Sequence, residues 1–395
     1  MLTEVILAAG RRTPFGDFGK SLKDTPMTDL GVHAAKACLG AAGIAAADVD
    51  HMVFGNTLPV DRDGLFSSRV VALKTGLPES SSALNVQRAC GTGSQAIASA
   101  AQQIMIGHSE VALAGGAENF SRVPYVLTSQ RWGSKRGPQV LVDGLDYAYR
   151  CPFSDELMGE TAENLAEEYQ YDREAMDAWG LLSQQRAGAA IASGFLARQI
   201  APLAVPDGKG TRLLAVDEFP RPQVTAEKLR QLPPAFRPGG KVTAGNSSGV
   251  TDGAACILVA RRDRAEALGV APEARLCDWA TVGVPPRIMG SGPVPAIAKL
   301  LERAGLDVDD IDYFEINEAF AVVNLHAERQ LGIPRERTNL YGGGISIGHP
   351  PGATGIRMTI TAMHHLADTG GRYGIVSMCL GAGQGMATLI ENLKR

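Results

Sequence analysis

Two stretches of this chain repeat one another. AAGIAAADVDHMVFGN (41–56) and RAGLDVDDIDYFEINE (303–318) align without gaps at an offset of 262, which sets Gly43 on Gly305, Asp48 on Asp310 and Asp50 on Asp312. Each copy reads as the end of a helix, a turn and a buried strand. A second match, SEVALAGGAE (109–118) against YGIVSMCLGAG (373–383), falls at nearly the same offset, and both segments are glycine-ended strands after helices. A unit that alternates strands and helices and occurs twice is a duplicated α/β fold.

The duplication sets the domain plan. One half takes residues 1–119 plus 250–270, the other takes 271–395, and 120–249 is an inserted loop domain of different character. The insert carries basic, loop-like text (RWGSKRGPQ), a long helix capped at Asp172, and the Pro-rich FPRPQVTAEKLRQLPPAFRPGG, as expected of a segment that covers a site. DGAACILVARR (252–262) then reads as a strand that completes the first half, and GMATLIEN is its counterpart near the C-terminus.

Composition removes several functions. A net charge of −4 gives no electrostatic case for nucleic acid or an anionic membrane as partner. No apolar run approaches the roughly 20 residues of a membrane span. MLTEVILAAGRRTPFG reads as a first strand and turn rather than a signal peptide, and ENLKR carries no receptor-read address. The six cysteines (Cys38, Cys90, Cys151, Cys256, Cys277, Cys379) form no C-x-x-C pair, which fits neither a disulfide framework nor a zinc site. A reducing cytoplasm is the expected setting.

One of those cysteines is placed for chemistry. NVQRACGTGS (85–94) sets Cys90 before a glycine-rich turn and an Ala-rich helix, QAIASAAQQIMIG. GATGIRMTITAM (352–363) is similarly rich in small residues, so both helices are expected to be buried on most sides in a central layer between two sheets. The repeat offset carries Cys90 to position 352, within three residues of His349, so the two should face each other. A helix start and a neighbouring imidazole both lower a thiol's pKa, which makes Cys90 a nucleophile and His349 its base. Cys379 ends a strand at CLGAGQG and reads as an acid/base thiol. Backbone N–H groups of Gly381 and Cys90 can face a developing oxyanion, and Asn317 offers an amide to a water or an enolate oxygen. These parts suit a Claisen condensation of two thioesters.

NEAF (317–320), GHPPGATG (348–355), CLGAGQG (379–385), AGNSSGVTDGA and ATVGVPPRIMGSGPVPA (280–296) stand in the order found in the thiolases, which the chain resembles over essentially its whole length. The resemblance implies a five-layered αβαβα fold with the inserted loop domain, and a homo-oligomer built as a dimer of dimers. It implies acyl transfer between coenzyme A and Cys90, with His349 activating the thiol. Cys379 would take the α-proton of the second acyl-CoA or, in thiolysis, protonate the leaving carbanion. Asn317 would position a water that forms one oxyanion hole with His349, and the N–H groups of Cys90 and Gly381 would form the other. Met158, Arg221, Ala244, Ser248, Met289, Ala319 and Phe320 would bind coenzyme A, which is substrate and product. No metal or redox cofactor is implied. Departures from the family pattern fall at Thr92, where serine is usual, at Ala382, where glycine is usual, and at Leu157 and FSRVPY (120–125) along the acyl and pantetheine path.

Other conspicuous residues read as structural. Cys38, Cys256 and Cys277 belong to packing, Cys151 to the insert, and His364 and His365 to a surface or interface. Arg131, Lys135 and Arg136 read as a solvated loop or subunit contact before a phosphate site. Two rival functions fit the same outline: a carrier-protein ketosynthase, which would need histidine at Asn317 and lack Cys379, and a silent acyl-CoA- or lipid-binding scaffold.

Overall fold

The computed structural model describes residues 3–394; Met1, Leu2 and Arg395, which the outer domain boundaries include, lie outside them. The strands are β1 (Val5–Arg12), β2 (His51–Gly55), β3 (Ser82–Val86), β4 (Val111–Glu118), β5 (Thr251–Arg261), β6 (Ala274–Gly283), β7 (Tyr313–Ile316), β8 (Tyr373–Leu380) and β9 (Gln384–Asn392). With the short strand Gly16–Asp17 they make a ten-stranded sheet in the order β7-β8-β9-β6-β1-β5-β4-β2-β3. From the middle outward, β1-β5-β4-β2 and β6-β9-β8-β7 repeat the same pairings: antiparallel, antiparallel, parallel. β3 extends the first half alone.

The repeat survives at the level of single hydrogen bonds. Asp50 accepts from Glu110 N (2.7 Å) and Val111 N (3.4 Å), and Asp312, 262 residues on, accepts from Arg372 N (2.6 Å) and Tyr373 N (3.0 Å). Gly43 and Gly305 end their helices in left-handed conformations, at φ 70° and 65°, where glycine avoids the Cβ clash. Val111 and Tyr373, which open β4 and β8, also lie 262 apart, so the letter match of the second segment ran two residues off. The sheets differ from expectation as well. β1 and β6 pair at Ile6–Arg275 and Leu7–Ala274, which joins the halves into one hydrogen-bonded sheet.

Among the helices are α1 (Met27–Ala42), α2 (Ser67–Thr75), α3 (Thr92–Met105), α4 (Gly144–Tyr149), α5 (Met158–Glu168), α6 (Arg173–Ala192), α7 (Pro293–Ala304), α8 (Ala321–Leu331) and α9 (Pro351–Thr369). Strand alternation sorts them into layers. Ile6, Met52, Phe54, Leu113 and Leu258 point to α1 and α2. Phe314, Ile316, Ile375 and Leu389 point to α7 and α8. Leu7, Val53, Ala114 and Ile257 of one half, and Val376, Met378 and Met386 of the other, close on α3 and α9 between them. The order is αβαβα.

The central pair meets backbone to backbone. A Cβ on Gly355 would lie 2.4 Å from Ser94 N, and one on Gly93 would lie 2.9 Å from the Gly352 carbonyl oxygen. Burial of α9 corrects the reading of its histidines. His365 is buried, bonded to the Tyr341 hydroxyl (3.0 Å) and stacked on Tyr313 (4.3 Å); His364 is partly buried, edge-on to Phe195 (6.2 Å). Between β4 and β5 the chain forms α4–α6, with α6 capped where Asp172 accepts from Ala175 N (2.7 Å). A buried ion pair between Arg12 and Asp217 (2.6 Å) ties the inserted region to β1. No helix among the described residues is long and apolar enough to cross a membrane.

Gly355→Ala is expected to push α3 from α9 and destabilise the protein by about 1–3 kcal/mol. Thermal unfolding by circular dichroism checks it: an unchanged melting temperature would show that the helices are not held at backbone contact.

Candidate active site

α3 begins at Thr92 and is preceded by a turn that the side chain of Thr92 closes: its hydroxyl accepts from Arg88 N (2.8 Å) and donates to the Ala89 carbonyl (2.7 Å). The Thr-for-Ser departure therefore keeps the hydroxyl that shapes the Cys90 turn, and Gly55 makes room for its methyl, since a Cβ there would lie 2.2 Å away. Cys90 sits in this turn, half-buried, outside the helix. Ala89 before it and Ala382 after Gly381 both hold left-handed backbone, at φ 43° and 66°, which costs an L-residue roughly 1–2 kcal/mol each. At Ala382 the usual glycine would carry no such strain.

His349 enters from the turn before α9. Thr354 Oγ1 donates to the Pro350 carbonyl (2.9 Å) and so accepts from His349 Nδ1–H (2.7 Å). That leaves the lone pair on Nε2, which faces Asn317 Nδ2 at 3.3 Å. Asn317 Oδ1 is buried with no protein partner among the described residues. Cys379 lies at the end of β8, fully buried, opposite Gly385 of β9. The N–H of Gly381 points at the Cys90 thiol, as does that of Cys90 itself.

The electrostatics correct one expectation. Helix start and imidazole were to hold Cys90 ionised. Enclosure by protein instead pushes its thiol up to about 11, against the pull of the Gly381 and Cys90 N–H groups, and nearby Glu118 pushes the same way. Burial also drives His349 down to about 3, with the Arg357 charge adding to it, and burial followed by the nearness of Cys90 raises Cys379 strongly. A helix terminus acts only over its own first turn, and here the loss of water outweighs it. At neutral pH all three groups are uncharged.

Cys90, His349 and Gly381 line one cavity of about 240 Å³ together with Met158, Ser248, Met289, Ala319 and Phe320, five of the seven positions assigned to coenzyme A. Leu58, Phe120, Tyr149 and Pro152 make its apolar wall. A second cavity of about 610 Å³ shares Tyr149, Met158, Ser248 and Phe320 and opens past Leu141, Leu157 and Phe236 of the inserted region. Two assigned positions lie elsewhere. Arg221 is tied to its own loop, donating to the Glu218, Phe219 and Pro220 carbonyls and pairing with Asp17 (2.9 Å), and it lines a separate depression with Lys228. Ala244 is exposed and lines neither cavity. Arg131, Lys135 and Arg136 are exposed, in a loop exposed from 127 to 141.

Three contributors escape a reading by motif. Glu118 accepts from Thr57 N (2.8 Å) and the Thr57 hydroxyl behind the cavity wall, and burial raises it to about 7; an acid closing the apolar strand VALAGGAE was its signal. Glu318, inside NEAF, accepts from Trp179 (3.1 Å), Ser183 (2.6 Å) and Ile345 N (3.2 Å), which ties the Asn317 and His349 loops to α6. Thr354 orients the imidazole from five residues along. Among the described residues no three His, Cys, Asp or Glu side chains are grouped so as to hold a metal ion.

Residues 5–263 match the thiolase N-terminal domain and 270–392 the thiolase C-terminal domain. The chain is 43% identical over 394 residues to beta-ketothiolase BktB of Cupriavidus necator, covering 100% of both chains. It is 42% identical over 393 residues to the human mitochondrial 3-ketoacyl-CoA thiolase, covering 99% of both. The crystal structure of that human enzyme superposes with a TM-score of 0.97 over 99% of each chain at 41% identity, and its complex with CoA with a TM-score of 0.96.

With a thiol near 11, alkylation of Cys90 by iodoacetamide in the absence of acyl-CoA is expected to rise about tenfold per pH unit from pH 6 to 9, following the thiolate fraction. Peptide mass spectrometry at Cys90 reads the rate. A plateau inside that range would mean a preformed thiolate.

Proposed function

The chain belongs to the thiolase family, and from that premise we propose that it is a β-ketoacyl-CoA thiolase working through an acyl group on Cys90. It is an acyltransferase. The reading covers reversible thiolysis of a 3-ketoacyl-CoA and its reverse, the condensation of acyl-CoA with acetyl-CoA. What carries it is the convergence on one cavity of a neutral thiol, an imidazole with its lone pair on Nε2, and two backbone N–H groups.

Thiolysis starts from this protonation state. As the β-carbonyl carbon of the substrate approaches, the Cys90 proton passes to His349 Nε2 and the sulfur attacks, so that charge moves only as the bond forms. The Cα–Cβ bond then breaks, leaving an acyl group on Cys90 and an enolate of acetyl-CoA. Asn317, a water that it holds, and His349 stabilise the enolate oxygen, and Cys379 delivers the proton to its carbon. The raised pKa of Cys379 suits a thiol that must hold a proton until a carbanion needs it. Acetyl-CoA leaves and coenzyme A attacks the acyl group, its thiol proton passing to the Cys379 thiolate. The tetrahedral oxyanion rests on the N–H groups of Cys90 and Gly381, and the acyl–Cys90 bond then breaks as His349 returns its proton to the Cys90 sulfur. Condensation runs the same steps backward.

The second cavity offers a passage for the pantetheine arm, in support of coenzyme A as substrate. We place the enzyme in a reducing compartment, the cytoplasm, on the strength of its six free cysteines. We also propose that it is a homo-oligomer assembled as a dimer of dimers. In support, β3 is an exposed edge strand with no outer neighbour among the described residues, beside exposed Leu65 and Phe66. Such an edge invites pairing with a second copy about a twofold axis.

Two experiments test this. After exposure to acetyl-CoA, intact-mass spectrometry is expected to show an acetyl adduct on Cys379→Ala, which cannot complete condensation, and none on Cys90→Ala; an adduct persisting on Cys90→Ala would reject the nucleophile. Sedimentation velocity is expected to give a species larger than one chain, and a monomer at micromolar concentration would reject the assembly.

A further inference from the structure

β7 is the outermost strand of its half of the sheet, so among the described residues its last residue, Ile316, has no strand on one side. That side is closed by side chains: Asn324 Nδ2 donates to the Ile316 carbonyl at 3.1 Å, and Asn339 bonds both groups of the residue. Asn339 Oδ1 accepts from Ile316 N–H at 2.8 Å, and Asn339 Nδ2 donates to the Ile316 carbonyl at 2.7 Å. A primary amide carries one acceptor and donors on adjacent atoms, so it imitates the missing neighbouring peptide. Nδ2 also donates to Glu318 Oε1 at 3.2 Å. Asn317 therefore stands between two residues held by the same amide, and its own N–H is bonded on the opposite side to the Ser377 carbonyl at 2.9 Å.

Asn339 is itself pinned. Its N–H donates to the Phe314 carbonyl at 3.0 Å, and its backbone is left-handed at φ 48°, a conformation that asparagine adopts more readily than most residues. Its side chain is buried and touches neither of the two cavities. We infer that Asn339 is a positioning residue for Asn317, holding that amide toward His349 Nε2 and the enolate oxygen in the step that makes or breaks the Cα–Cβ bond. This rests on the role proposed above for Asn317.

The two half-reactions separate the inference from a general structural effect. Exchange of labelled coenzyme A into acyl-CoA uses Cys90, His349, Cys379 and the Cys90 and Gly381 N–H groups; thiolysis of a 3-ketoacyl-CoA uses Asn317 in addition. Asn339→Gly keeps the left-handed backbone and removes the amide. Its kcat for thiolysis is expected to fall about 100-fold, the scale of a small misplacement of a reacting group, while exchange and the KM for coenzyme A stay near wild type. Asn339→Asp, which sets a carboxylate oxygen against the Ile316 carbonyl and Glu318 Oε1 where the amide donated, should lower thiolysis at least as far. Loss of both reactions together in the two variants, whether through misfolding or otherwise, overturns the inference, and so does full thiolysis in the glycine variant. Asn317→Ala is the control. If it lowers exchange as much as thiolysis, the division of roles fails at Asn317, and the inference about Asn339 falls with it.

Discussion

The structure depends on the contact between α3 and α9. Two helices that approach at the level of their backbones, with Gly355 against Ser94 and Gly93 against Gly352, leave no freedom in the distance between the turns at their N-terminal ends. Those turns carry Cys90 and His349. Close packing without side chains in the gap is stiff, because any widening exposes a void on both faces. The proposed nucleophile and base, from opposite ends of the chain, are therefore held by the core of the molecule, not by the loops that bear them.

Around that contact each half supplies what the other lacks. The first half contributes the Cys90 turn and Glu118; the second contributes Asn317, His349, Cys379 and Gly381. The pairing of β1 with β6 joins both sets of strands. The carboxylate of Glu318 binds Trp179 and Ser183 of α6, so the inserted region braces the acid/base loops as well as roofing the cavity.

Much of this was legible in the sequence, for a physical reason. A repeated pattern of apolar and turn residues encodes a repeated layer, and Asp50 and Asp312 keep the same bonds because the same turn must be closed twice. The small residues of 92–105 and 351–369 announced a buried central layer. Other features depend on distances that no pattern carries. That β1 and β6 would share hydrogen bonds, that His365 would stack on Tyr313, and that Arg221 would bind its own loop follow only from folded geometry. The protonation of Cys90 was read in the wrong direction because a helix start is visible in sequence while the loss of water around a thiol is not. Asn339 is 22 residues from Asn317 in a stretch with no catalytic lettering, and the end of β7 at Ile316, which its amide closes, gives it a task.

The two thiols and the imidazole, all neutral, give mobile ions little to screen, and the nearby charged groups Glu118 and Arg357 are buried. Counter-ions in the buffer weaken attraction between exposed charges beyond a Debye length of about 8 Å at physiological ionic strength, and so act on charges at the surface. The bond-making step at the cavity floor is shielded from the electrolyte around it.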